Sequence, residues 1–136
     1  MSFDLNIKFH MSNFDGLTQK KGIGGAHNKE AFLDAVSTYG IKINEQVSIG
    51  VDGIYNVKYQ IPAYDARGNP AGYKNQEFVK TIYDPKVFSD QKILELGQNA
   101  AAAGYESAIK NGLNAYDSSF GGVNFRVYID RSTGVI

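Results

Sequence analysis

An α+β fold, an antiparallel β-sheet with two main helices packed on it, is predicted by three features of the chain. Several segments alternate apolar and polar residues, two others repeat their apolar residues at helical spacing, and Gly, Pro and Asp breakers separate them. With 136 residues and 43% hydrophobic content, residues 1–136 have the size of a single domain and enough apolar side chains for a real core. No internal repeat or low-complexity tract interrupts the pattern.

The elements follow in order. Phe3, Leu5, Ile7 and Phe9 alternate with Asp4, Asn6 and Lys8, which predicts a strand with His10 on its polar phase. Phe32, Ala35, Val36 and Tyr39 recur at i, i+3, i+4 and i+7, so a three-turn helix is expected just after His27, with Asn28 as its cap and Gly40 as its stop. Ile41, Ile43, Val47 and Ile49 lead to Asp52-Gly53, beyond which Tyr55, Val57, Tyr59 and Ile61 alternate; this reads as a β-hairpin. Pro62 and the turn-forming run Arg67 to Gly72 precede a further strand, Phe78 to Tyr83, which carries Lys80. Asp84-Pro85 breaks it, and Ser89 caps a long helix whose face is Ile93, Leu96, Gly97, Ala100, Ala101 and Ala108. The small residues from Ala100 to Gly104 predict close packing against a sheet. Val123, Phe125, Val127 and Ile129 form the last strand, followed by a turn at Asp130 to Gly134.

Composition narrows the chemistry. The chain has no cysteine, which excludes disulfides, thiolate metal sites and a cysteine nucleophile; it suits both a reducing cytosol and a protein that crosses membranes unfolded. Lys+Arg and Asp+Glu both number 14, so bulk charge does not drive binding to nucleic acid, and any phosphate must be held by a few placed donors. No run approaches the roughly 20 apolar residues of a bilayer span, and the N-terminus lacks a signal-peptide layout.

The segment Gly22-Ile23-Gly24-Gly25-Ala26-His27-Asn28 brings a histidine to a helix N-terminus, where backbone N–H groups and the helix dipole favour an anion and Gly24 and Gly25 permit close backbone approach. His10 and His27 are the two histidines, the side chains whose ordinary pKa of about 6.5 suits proton transfer in both directions. Lys80 shares the phase of Phe78 and Ile82, so its ammonium either reaches the sheet edge or serves a site. Each feature also has an ordinary reading: a glycine-rich helix lead-in, a solvated histidine, an edge lysine. No metal-ligand spacing, P-loop or nucleophile elbow is present.

Taken together, His10, Gly16 and Gly24-Gly25-Ala26-His27 opening a helix resemble the two-histidine signature of EndoU-type endoribonucleases. Lys80 with Thr81-Ile82-Tyr83-Asp84-Pro85 resembles that family's catalytic-lysine region, and Val123 to Ile136 its closing hairpin. The stretch Tyr83 to Leu94 is similar to the bacterial branch that forms toxin tips of contact-dependent growth inhibition proteins.

The resemblance implies an EndoU/barnase-like ribonuclease toxin architecture and a metal-independent, cofactor-free cleavage. His27 would be general base toward a ribose 2′-OH, His10 general acid for the departing 5′-oxygen, and Lys80 the cation beside the charged phosphorane. The product would be a 2′,3′-cyclic phosphate, and DNA would be spared. Gly24, Gly25, Asn28, Thr81 and Thr133 complete the implied substrate-binding set. It further implies an RNA substrate, tRNA as its class, a cognate immunity protein, a monomer, and secretion or cell-surface delivery into a target-cell cytoplasm. A Thr-x-aromatic segment that contacts the nucleobase would follow the Thr133 turn beyond Ile136. The competing class is a noncatalytic binding or adhesin-tip module, favoured by neutral charge and nine tyrosines; in that case His27→Ala would change nothing.

Overall fold

In the computed structural model, which describes residues 3, 4, 7–130, 133 and 136, with residues 8–10 described by their backbone alone, the chain runs α1 (Ile7–Ser12), β1 (Phe14–Thr18), β2 (Gly22–Gly25), α2 (Lys29–Tyr39), β3 (Lys42–Ser48), β4 (Ile54–Gln60), β5 (Pro62–Tyr64), β6 (Pro70–Tyr73), β7 (Phe78–Tyr83), α3 (Asp90–Lys110), β8 (Ala115–Phe120) and β9 (Val123–Tyr128). The fold is α+β, with two main helices, and the strand pairs within its sheets are antiparallel. The strands divide among a three-stranded sheet, order β3-β4-β7, and three two-stranded ones. The chain forms two compact units, Phe9–Phe88 and Met1–Lys8 with Ser89–Ile136.

One expected element is corrected. The alternation from Phe3 to Phe9 does not make a strand, because Ile7–Ser12 is helical. The carbonyl of Asp4 accepts the N–H of Ile7 at 3.2 Å, an i to i+3 closure that leads into a helix, and alternation makes a strand only where a neighbour supplies the backbone partners. Leu5 and Asn6 of that expected strand lie outside the described residues.

Within Phe9–Phe88, the register of β4 against β7 pairs Tyr55 with Ile82, Val57 with Lys80 and Tyr59 with Phe78. Since side chains alternate along a strand, these six share one face of the sheet. Tyr59, Val57, Phe78 and Ile82 bury themselves there with Phe32 and Ala35 of α2, and with Ile23, Ala26, Ile41 and Ile61. Phe32 meets the Tyr59 ring edge-on at 5.7 Å, and Tyr59 stacks on Phe78 at 5.5 Å. Burying an aromatic or branched side chain of this kind contributes about 1.5–3 kcal/mol, so α2 is held mainly by Phe32. Its ends are set locally: Asn28 Oδ1 accepts from Glu30 N–H and Ala31 N–H, and Gly40 adopts the left-handed conformation at φ 64° while its N–H reaches the Val36 carbonyl.

The other unit is built around α3 and the β8–β9 hairpin. Ala101 and Ala108 of α3 pack with Tyr116, Val127 and Ile129. A Cβ on Gly104 would lie 2.8 Å from the Tyr116 ring, and Tyr116 Oη donates to the Ala101 carbonyl at 2.6 Å. The small residues of the helix are therefore the seat of one tyrosine, as close helix–sheet packing requires.

Candidate active site

The glycine-rich segment is a strand. Gly-Ile-Gly-Gly offers no alternating side chains, and β2 is defined by its backbone: it pairs with β1 through Gly22, Ile23 and Gly25. That strand is gripped at one residue, Ile23. Ile23 N–H donates to Tyr59 Oη at 2.9 Å, and Lys80 Nζ donates to the Ile23 carbonyl at 2.9 Å. Gly22 permits this approach, since a Cβ there would fall 2.4 Å from Tyr59 Oη, and its φ of +73° disfavours any side chain. Gly24 lies close to β1, with an added Cβ 3.0 Å from the Asp15 carbonyl.

Lys80 is half-buried and projects from β7 on the core side of the β4–β7 pair, opposite Val57. Burial pushes its pKa down from 10.5 to about 8, because a charged ammonium loses hydration there and one carbonyl returns part of it. The group is thus poised to remain a cation at neutral pH while keeping a proton that can be given up above it. Tyr59 beside it is shifted upward by burial, so its phenol stays neutral.

His27 is fixed at three points. Its N–H donates to the Met11 carbonyl at 2.8 Å, its carbonyl accepts from Tyr83 N–H at 2.8 Å, and its ring Nδ1 lies 2.7 Å from the Thr81 carbonyl oxygen. A carbonyl can only accept, so Nδ1 carries the proton and Nε2 is the basic nitrogen of the neutral ring. Thr81 and Tyr83 alternate on β7, whose other edge pairs with β4. His27 therefore meets the outer edge of β7 as a partner strand would, its backbone carbonyl serving as acceptor and its imidazole standing in for the peptide N–H. Ala26 makes the turn that permits this: it is fully buried with φ at 53°, left-handed for a residue with a Cβ, and its N–H is held by the Asn13 carbonyl at 2.7 Å.

The residues expected from sequence fall as follows. Lys80 and the holder of His27, Thr81, are consecutive on β7, which brings the cation and the imidazole to one strand. His10 lies in α1, and the next residue, Met11, takes the His27 N–H; the His10 side chain lies outside the described residues. Gly24 and Gly25 are in β2. Asn28 spends its side-chain oxygen on the first amides of α2. The Thr81 hydroxyl donates to Asn56 Oδ1 at 2.6 Å, on the sheet face opposite Lys80. Thr133 lies in the unit with α3, in a shallow cleft of about 380 Å³ with Asp4, Tyr128, Ile129, Asp130 and Ile136. Sequence reasoning missed Tyr59 as the residue that anchors β2; its phase on the core face marked it only as packing. Among the described residues no three His, Asp or Glu side chains converge as a metal-holding group, and no helix is long and apolar enough to cross a membrane.

The chain is 54% identical over 140 residues to a protein named "tRNA nuclease CdiA" from Escherichia coli, a match covering 100% of the chain and 4% of that relative. It is 50% identical over 135 residues to a protein of the same name from Yersinia mollaretii, covering 98% of the chain and 5% of the relative. The chain thus spans a small fraction of these curated relatives' length. The family described as bacterial EndoU nuclease matches residues 10–136. With its histidine set on the edge of the strand that carries a half-buried lysine, the chain belongs to the bacterial EndoU nuclease family.

Proposed function

We propose that this chain is a single-domain endoribonuclease toxin, acting on tRNA as the relatives' names state for them, by a metal-independent route that ends in a 2′,3′-cyclic phosphate. The observation that carries the reading is the His27 ring locked on Thr81 beside Lys80. Nε2 of His27 takes the ribose 2′-OH proton, the 2′-oxygen attacks phosphorus, and the P–O5′ bond breaks as His10 protonates the departing oxygen. The imidazolium formed on His27 keeps the Thr81 carbonyl at its Nδ1–H, which stabilises the new charge. Lys80 faces the phosphorane's negative charge, and its partial burial makes that attraction stronger than in water. Gly24, Gly25, Asn28 and Thr81 are proposed as substrate-binding residues, and so is Thr133. Delivery from a cell-surface protein into a target cytoplasm, restraint by a dedicated immunity protein, and action as a monomer complete the reading.

The test is incubation of purified protein with total tRNA, with and without EDTA, and analysis of the product ends. Cyclic phosphate ends in both conditions, lost in His27→Ala and Lys80→Ala variants that still fold, are expected. Intact RNA, or inhibition by EDTA, overturns the reading or its metal-independent part respectively.

A further inference from the structure

A second group of cations sits on the same hairpin that Lys80 grips. Lys80 Nζ reaches the Ile23 carbonyl in β2, and Lys74 Nζ reaches the Gln19 carbonyl in the turn between β1 and β2. Lys74 also lies over the Phe78 ring, 6.0 Å from its centre, and Phe78 and Lys80 are two residues apart on one face of β7, about 7 Å along the strand. Lys20 and Lys21, exposed in that same turn, follow Gln19 directly. Gln60 Nε2 donates to the Lys74 carbonyl at 3.0 Å and lies opposite Lys42 in the β3–β4 register. Lys42 in turn stands over the ring of Tyr73, 5.8 Å from its centre, and Tyr73 is 45% exposed. Lys74 is thus tied to the hairpin that Lys80 holds, Lys20 and Lys21 follow in its turn, and Lys42 with the open Tyr73 ring stands on the Gln60 face of the sheet, round the sheet's end from Lys80.

We propose that Lys20, Lys21, Lys42, Lys74 and Tyr73 form an RNA-binding extension of the active site, in which the lysines hold the phosphates flanking the cleaved one and Tyr73 stacks on a base. This rests on the endoribonuclease reading above. The charge argument is specific: a chain whose formal charge is zero cannot attract RNA by its bulk field, so affinity has to come from a local concentration of cations. The cation-to-aromatic alternation is the one that single strands use, phosphate on ammonium and base on ring. The β1–β2 turn, Tyr73 at the end of β6 with Lys74 after it, and Lys42 of β3 together supply both.

The test is binding of a 2′-O-methylated RNA 12-mer, which cannot be cleaved, across a salt series. Removing Lys20 and Lys21 as Lys20→Gln/Lys21→Gln, and separately Lys74→Gln and Tyr73→Leu, should each weaken binding several-fold. Each lysine lost should lower the slope of log affinity against log salt by about 0.7. The turn pair is the safeguard if Lys74→Gln fails to fold. Lys110→Gln, on α3, serves as the control and should leave the affinity unchanged. Unaltered affinity and slope in the turn and Tyr73 variants overturn the inference, as does an equal loss in the control. If the unmodified protein cleaves tRNA while these variants bind normally, only this extension fails; if it cleaves no RNA, the nuclease reading fails with it.

Discussion

Nδ1 of His27 stands 2.7 Å from the carbonyl oxygen of Thr81, a side chain hydrogen-bonded to a strand as though it were backbone. The consequence is a fixed tautomer. In a ¹⁵N-histidine spectrum of the folded protein at pH 8, His27 should show the proton on Nδ1 and a nonprotonated Nε2. A proton on Nε2 would sink both the geometry and the assignment of the basic nitrogen.

The same bond separates holding from reacting. An asparagine amide places its NH₂ near where Nδ1 lies, so His27→Asn should keep the donor to Thr81 and the fold while removing the base. Activity should fall by about 10²–10⁴-fold with little change in melting temperature. A variant that retains more than a tenth of wild-type activity would show that His27 is not the base.

Lys80 should set the alkaline limb of activity. Its cationic form is the useful one, and with a pKa lowered to about 8 kcat/KM should decline as pH rises through 8. Lys80→Arg, charged throughout this range, should be slower but lose that limb. An unchanged limb would assign it to another group.

Stability gives an independent reading of the same shift. The folded pKa lies below the unfolded 10.5, so below about pH 8 the ammonium is protonated in both states and the native state bears the full desolvation cost. Between about 8 and 10.5 the unfolded chain binds more protons, and stability rises with pH. Lys80→Met should therefore be inactive yet more stable near pH 7, by about 1–3 kcal/mol. That advantage should shrink as pH is raised past 8, which urea titrations at pH 7 and 10 would measure.

Gly22→Ala should cost about 2–4 kcal/mol, from a left-handed φ and a Cβ driven into Tyr59 Oη. Tyr59→Phe removes the acceptor of Ile23 N–H and should cost about 1–3 kcal/mol. Both should reduce activity beyond their stability loss, measured well below the melting temperature, because β2 also carries the carbonyl that holds Lys80. Full activity in either would detach β2 from catalysis.

Much of the fold was legible because it is written in local chemistry. Asn28 and Gly40 bound α2 as their side chain and left-handed φ require, and Phe78–Tyr83 is a strand whose phase puts Lys80 on the core face. The α1 region was misread for the converse reason: Phe3 to Phe9 alternates, but Ile7–Ser12 is helical and none of the described strands pairs with the described residues of that range. β2 was hidden because Gly-Ile-Gly-Gly has no side-chain period, and β8, Ala115–Phe120, because its alternation is weak.

The sequence by itself determined the class of fold, the helix caps, the residue types available for proton transfer and charge stabilisation, and the kinship that links them. Only the tertiary structure decided how they act together. The edge of β7 that turns His27 onto Thr81, and the Tyr59 and Lys80 contacts that clamp Ile23 by its N–H and its carbonyl, join residues 36 to 57 positions apart in the chain. Such contacts depend on sheet register and buried volume, which local patterns do not encode.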